Sequence, residues 1–307
     1  MQIYLPIAEM SLNVVMLISI GLAIGFLSGM FGIGGGFIMT PFLIFIGVPP
    51  GVAVGTGASQ VVASSVSGAV SHWQRGNVDV HMGLLLVSGG FFGALGGVKV
   101  LAILKAYGQL DLFISLTYVI LLGVVGSLML FESVGALRAT PAKPGVSIRR
   151  GGQHTWIEGL PLKQRFRRSR IYVSAIPFVL VGAFVGWLTA IMGVGGGFLL
   201  VPAMIYLLRI PTRIVIGTST FQILCITALT TVLQSVQNHS VDVLLSVPLI
   251  AGGVIGAQLG VGFGERMKAE QLRALLALLV LLVAVRMAYE LVIPPSFPYS
   301  LEVPSSL

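Results

Sequence analysis

The sequence predicts an all-α polytopic membrane protein: two inverted repeats of about five segments each, with helices broken by glycine. Three observations carry this reading. Hydrophobic residues make up 56% of the 307 and charged residues 9%, with a mean hydropathy of +1.00; no soluble globular domain is built that way. The apolar runs approach the roughly 20 residues that a helix needs to cross a bilayer. A glycine-rich break also occurs twice, at matching places in the two halves. The first copy is Gly32-Ile33-Gly34-Gly35-Gly36-Phe37 with Pro41 after it, and the second is Gly193-Val194-Gly195-Gly196-Gly197-Phe198 with Pro202 after it.

The apolar segments run over 12–31, 37–48, 52–72, 80–104 and 110–131, then 171–192, 198–209, 213–236, 241–264 and 271–291. This divides the chain into an N-terminal transmembrane repeat (1–131), a basic cytoplasmic linker (132–170), a C-terminal transmembrane repeat (171–293) and a loosely ordered tail (294–307). The first segment has no basic stretch before it and no small-residue cleavage site after it, so it reads as a retained helix and not a signal peptide. The second and seventh segments are short, reaching less than about 20 Å, and follow the breaks directly. The tail carries three further prolines after Pro294 and no periodicity.

Anchors in the same order and spacing argue that the halves are duplicates. Gly55, Thr56 and Gln60 match Gly217, Thr218 and Gln222. Val78-Asp79-Val80 matches Val241-Asp242-Val243. Gly89-Gly90, Gly93 and Gly97 match Gly252-Gly253, Gly256 and Gly260.

The net charge of +8 is not a nucleic-acid signature, because nine of the 18 basic residues lie between Arg138 and Arg170 in one polar loop. Concentrated Lys and Arg mark a cytoplasmic loop. With that loop inside, five crossings per repeat place Arg75, Arg209, Arg213, Arg266, Lys268 and Arg273 inside, and Lys99 and Lys105 outside. Four crossings move all of these except Arg75 outside. Five therefore fits, and an odd number makes the repeats inverted, with both termini extracytoplasmic.

Three successive glycines unwind a helix, and unwound backbone is tolerated at membrane depth only against protein or a water-filled cavity. A matched pair of such breaks points to a transporter site. A half-helix starting at either break offers backbone N–H groups and a partial positive charge to an anion. Candidate donors are the backbone of Gly34, Gly35, Gly36 and Phe37 and of Gly195, Gly196, Gly197 and Phe198. Thr56, Gln60, Thr218 and Gln222 add hydroxyls and amides on the segment after each break. The competing readings are glycine-mediated packing and interhelical hydrogen bonding. The break is neither a dinucleotide fingerprint nor a P-loop, since no β-α-β unit or Lys-Ser/Thr accompanies it.

Other polar residues read as structural. Trp73 and Arg75 suit an interface anchor and a topology charge. His72 suits the same interface, and His81 and His239 fall in loop regions without a ligand pattern. Cys225 has no second thiol and reads as a small buried hydrophobe. Arg286 and Glu290, four residues apart, read as an ion pair. Away from their ends the spans carry almost no Asp or Glu, so no proton relay of the usual intramembrane type is visible, and electrogenic export of an anion is the simplest scheme. No cofactor or metal site is indicated.

The doubled GxGGGF-x3-P, the GT-x3-Q after it, and the run Gly159-Leu160-Pro161-Leu162-Lys163 with Phe166-Arg167-Arg168-Ser169-Arg170 resemble the TauE/SafE-type sulfite exporter family across about residues 12–291. The resemblance, which extends to permeases for toluene sulfonate, implies a multi-pass protein of the bacterial inner membrane. It further implies ATP-independent secondary transport of sulfite, sulfonates or sulfoacetate-type compounds, and a homodimer. The second repeat departs in having Ser219 for Gly57 and Phe221 for Ser59. The rival readings are uptake of a carboxylate or metal ion and membership of an ATP-driven complex. An intramembrane enzyme would need a nucleophile–base pair or an HExxH motif, and the sequence has neither.

Overall fold

The computed structural model describes residues 2–31, 36–138, 163–166, 171–204, 212–264 and 269–292. Gly34 and Gly35 of the first break, most of the linker and the tail lie outside them. The first half comprises a hairpin, β1 (Gln2–Leu5) and β2 (Met10–Asn13), then α1 (Val14–Phe31), α2 (Gly36–Phe45), α3 (Pro50–Gln74), α4 (Val80–Ala106) and α5 (Leu110–Arg138). The second has a hairpin, β3 (Lys163–Phe166) and β4 (Ile171–Ser174), then α6 (Ile176–Met192), α7 (Gly197–Pro202), α8 (Thr212–Gln237), α9 (Val243–Gly264) and α10 (Ala269–Val292). Each predicted segment has a helix.

The two antiparallel hairpins are a finding the apolar pattern does not announce. Residues 12–13 and 171–174, assigned above to membrane segments, belong to their second strands. Local chemistry explains where the following helices start. Asn13 Oδ1 accepts from Val15 N–H (3.0 Å) at the start of α1, and α6 opens with Pro177, whose ring suits a first helical turn. His81, predicted in a loop, sits in the first turn of α4, where its Nε2 donates to Gln164 Oε1 of β3 (2.6 Å).

Among the described residues, five helices are long and apolar enough to span a membrane, within α4, α5, α8, α9 and α10. On α5 the apolar side chains Leu112, Leu116, Ile120, Val124 and Leu128 form an exposed stripe at four-residue spacing, as expected of a lipid-facing surface. Arg286 and Glu290 on α10 form the expected pair (2.9 Å).

The halves are interlocked. α1 packs on α9 of the other half, α6 packs on α4, and α3 crosses α8. The first two interfaces are backbone to backbone. A methyl group built at Gly21, Gly25 or Gly29 would strike the backbone of Leu249, Gly253 or Ala257. One built at Gly89, Gly93 or Gly97 would strike that of Val179, Ala183 or Trp187. Contacts that advance together along both chains mean that each pair runs in the same direction. Glycine at four-residue spacing permits this approach and the dispersion contact that comes with it.

Candidate functional site

The second break is a turn that only glycine adopts comfortably. Gly193 (φ +65°), Gly195 (φ +76°) and Gly196 (φ +69°) are all left-handed. Gly193 N–H donates back to Thr189 O (2.8 Å) and closes α6. The last carbonyl of α6, Met192 O, accepts from Thr40 Oγ1 (3.2 Å) on α2 and from Tyr118 Oη on α5. The first half thereby supplies the hydrogen bonds that the break removes from the second.

The structure brings the two breaks together. Gly36, at the start of α2, faces Val194 O, which a Cβ on Gly36 would approach to 2.8 Å. The rings of Phe37 and Phe198 stack at 5.8 Å between centroids, and both are buried. Gly195 sits where α3 and α8 cross, against Val61, Ile223 and Thr227. Gly197 opens α7 and is buried.

Thr56 and Thr218 occupy equivalent places and make equivalent bonds across the halves. Thr218 Oγ1 on α8 accepts from Asp79 N–H (3.1 Å), and Asp79 caps α4 by accepting from Met82 N–H (3.4 Å). Thr56 Oγ1 on α3 accepts from Asp242 N–H (3.2 Å), and Asp242 caps α9 by accepting from Leu245 N–H (3.2 Å). Each hydroxyl thus fastens the start of the other half's fourth helix.

One turn further along lie Gln60 (1% exposed) and Gln222 (0%). Gln222 has both amide atoms buried without a hydrogen-bond partner among the described residues, and Gln60 has its Oε1 so. Each lies against a glycine of the opposite half. A Cβ at Gly253 on α9 would come within 2.6 Å of Gln60 Nε2, and one at Gly90 on α4 within 3.3 Å of Gln222 Nε2. Gly90 and Gly253 are the residues that the sequence reading missed as part of the site. They stand out there only as repeat anchors, and their equivalence to one another was the available signal.

A cavity of about 430 Å³ opens at the end of the bundle where α3 begins and α4 and α8 finish. Lys105 Nζ donates to Asn238 O (2.8 Å) at its wall. Glu9 and Asp111 line the same space, so its walls carry both signs of charge. Among the described residues no three His, Cys, Asp or Glu side chains are grouped as a metal site would require.

The comparisons with known proteins agree with one another. The model of a family described as sulfite exporter TauE/SafE matches residues 17–287. A Bacillus subtilis (strain 168) protein named probable membrane transporter protein YunE is 26% identical, covering 91% of this chain and 98% of its own. A probable membrane transporter protein of Xylella fastidiosa (strain 9a5c) is 29% identical over 89% and 94%. Sulfite exporter TauE/SafE family protein 2 of Arabidopsis thaliana is 31% identical over 37% of this chain and 24% of its own. No solved structure matches the chain.

Proposed function

Since the chain belongs to the sulfite exporter TauE/SafE family of membrane transporters, we propose that it exports a small sulfur-containing anion, sulfite or an organosulfonate, across the bacterial inner membrane. The observation that carries this reading is that Gln222 has both amide atoms, and Gln60 its Oε1, buried without a partner among the described residues, each one residue before a side chain, Ile223 or Val61, that packs against a glycine break. Buried polar groups are nearly always paired, and a ligand would supply the missing partners. In this reading the backbone of Gly36 and Phe37 and of Gly195 to Phe198 offers donors, Gln60 and Gln222 add their amides from α3 and α8, and Thr56 and Thr218 hold the surrounding helices in place; Gly34 and Gly35 lie outside the described residues.

Alternating access follows from rocking one repeat against the other around this fixed site. An inverted arrangement of the repeats is supported by the contacts. Ile7 N–H, just before α1, donates to Asp242 Oδ2 at the start of α9 (3.2 Å), at the same end as Lys105 on the last turn of α4 and Asn238. α6 runs parallel to α4 and so starts at the opposite end from α1. The mixed-charge cavity then lies at the extracytoplasmic mouth.

Efflux from proteoliposomes loaded with sulfite, taurine, sulfoacetate, acetate or nickel tests the reading. Transport of a sulfur anion in preference to the last two is expected. Transport of acetate or nickel alone sinks it, and a requirement for ATP would favour an ATP-driven complex.

A further inference from the structure

The glutamines say more about the substrate than that it is an anion. Gln234, on the same helix as Gln222 and equally buried, shows what a structural glutamine does in this protein. Its Nε2 donates to Ala190 O (3.0 Å), and its Oε1 accepts from Asn238 Nδ2 (2.6 Å) and Ser240 Oγ (3.2 Å). Among the described residues Gln222 has no such partner at either amide atom, and the Oε1 of Gln60 has none either. A carboxamide offers two N–H donors and one acceptor oxygen. The oxygens of a fully ionised oxyanion satisfy the donors, but they leave the amide oxygens bare. Those need an N–H or O–H from the ligand. Because both atoms of Gln222 are unpartnered, the argument holds whichever way its amide is turned.

Charge points the same way. Among the described residues the buried ionisable groups include Asp79 and Asp242, and no Lys or Arg is buried. Thr218 bonds Asp79 and Thr56 bonds Asp242, and each threonine precedes its glutamine by four residues, about one helical turn. The amides themselves lie further along the helices that these aspartates cap, against Gly90 and Gly253, so no buried cation among the described residues offsets a second negative charge there. Desolvation rises steeply with charge, so a dianion is disfavoured here more than a monoanion.

We propose that the site selects sulfur oxyanions in a singly charged form that carries an N–H or O–H donor. It takes hydrogen sulfite over the sulfite dianion, and sulfamate over plain alkylsulfonates. The amide oxygens of Gln60 and Gln222 accept the donated hydrogen. This rests on the sulfur-anion reading above.

Sulfamate and methanesulfonate separate the two ideas. Both are singly charged sulfonates of nearly the same shape, with an NH2 in one where the other has a CH3. In calorimetry on the purified full-length protein, sulfamate should bind at least about tenfold more tightly, the discrimination expected when an analogue leaves a buried acceptor unpaired. Gln60→Met and Gln222→Met, which keep side-chain volume, should each bring that ratio towards one. Sulfite flux at constant total sulfite should rise as falling pH converts the dianion to hydrogen sulfite. Equal binding of the two probes to the wild-type protein overturns the donor requirement and leaves the oxyanion reading standing, and this comparison needs no variant to fold. An unchanged ratio in both methionine variants overturns the role given to the glutamines. Binding of neither probe, nor of sulfite at any pH, removes the sulfur-anion reading and this inference with it.

Discussion

Two glycines three residues apart on α9 but different in surroundings separate packing from ligand binding. A Cβ at Gly256 would lie 2.1 Å from the backbone oxygen of Leu22, whereas one at Gly253 meets the far end of Gln60. Gly256→Ala should therefore force α1 and α9 apart and cost about 1–3 kcal/mol, seen as a lower Tm in detergent. Gly253→Ala should keep its Tm and lose transport, because only a movable amide is displaced. Equal loss of Tm in both would make Gly253 a packing residue like its neighbour. Thr218→Val removes the oxygen to which Asp79 N–H donates and should cost about 1 kcal/mol; an unchanged Tm would show that this bond across the halves contributes nothing. The sequence made Thr56, Gln60, Thr218 and Gln222 legible because polar side chains are conspicuous in apolar segments. It did not separate the hydroxyls, which grip the opposite half, from the amides, whose Gln60 Oε1 and both Gln222 atoms lack a partner among the described residues. It marked Gly90 and Gly253 only as repeat anchors, since a glycine looks the same whether it faces backbone or side chain.

At the scale of elements, the second break is the most constrained segment. Gly196 has φ +69°, and a Cβ there would come within 2.2 Å of Val185 Cγ1, so a larger residue is excluded by both conformation and space. Gly196→Leu should abolish transport, and retained flux would dissociate the break from the site. Each of the ten apolar runs meets a helix among the described residues, because a long, nearly unbroken apolar stretch is a strong signal in a sequence. The hairpins escaped because four-residue strands such as Lys163–Phe166 show too little alternation to be read. Their placement depends on distant partners, Gln164 on His81 and the turn after β1 on Asp242.

For the whole molecule, membrane sidedness is accessible by labelling. Cys225 is the only cysteine, so a Cys225→Ser background accepts single reporters at Gln74 or Tyr107, both exposed. With the basic linker inside, a membrane-impermeant thiol reagent on intact cells should label Tyr107→Cys and spare Gln74→Cys. Labelling of both, or the reverse, contradicts the sidedness that the basic linker gives to α3 and α4. Export of a monoanion should also generate current, with about 2.3 kcal/mol gained per charge per 100 mV; electroneutral flux would require a coupled ion. The matching anchors and the charge bias were legible in the sequence, but the interlocking was not. Which helix pairs with which depends on surfaces that are glycine-rich in both halves and carry no label of their partner.

That interlocking puts the protein on a clock as it is made. Ile7, at the threshold of α1, is 235 residues ahead of the aspartate it meets, and α9, on which α1 lies, follows that aspartate. At about 5–20 residues per second of synthesis, the first helix waits in the bilayer for roughly 10–50 s, its glycine face against lipid. A ribosome stalled before residue 243 leaves that face permanently unclaimed, so truncated chains should be taken by quality control, while halves synthesised together in one cell still have a route to find each other.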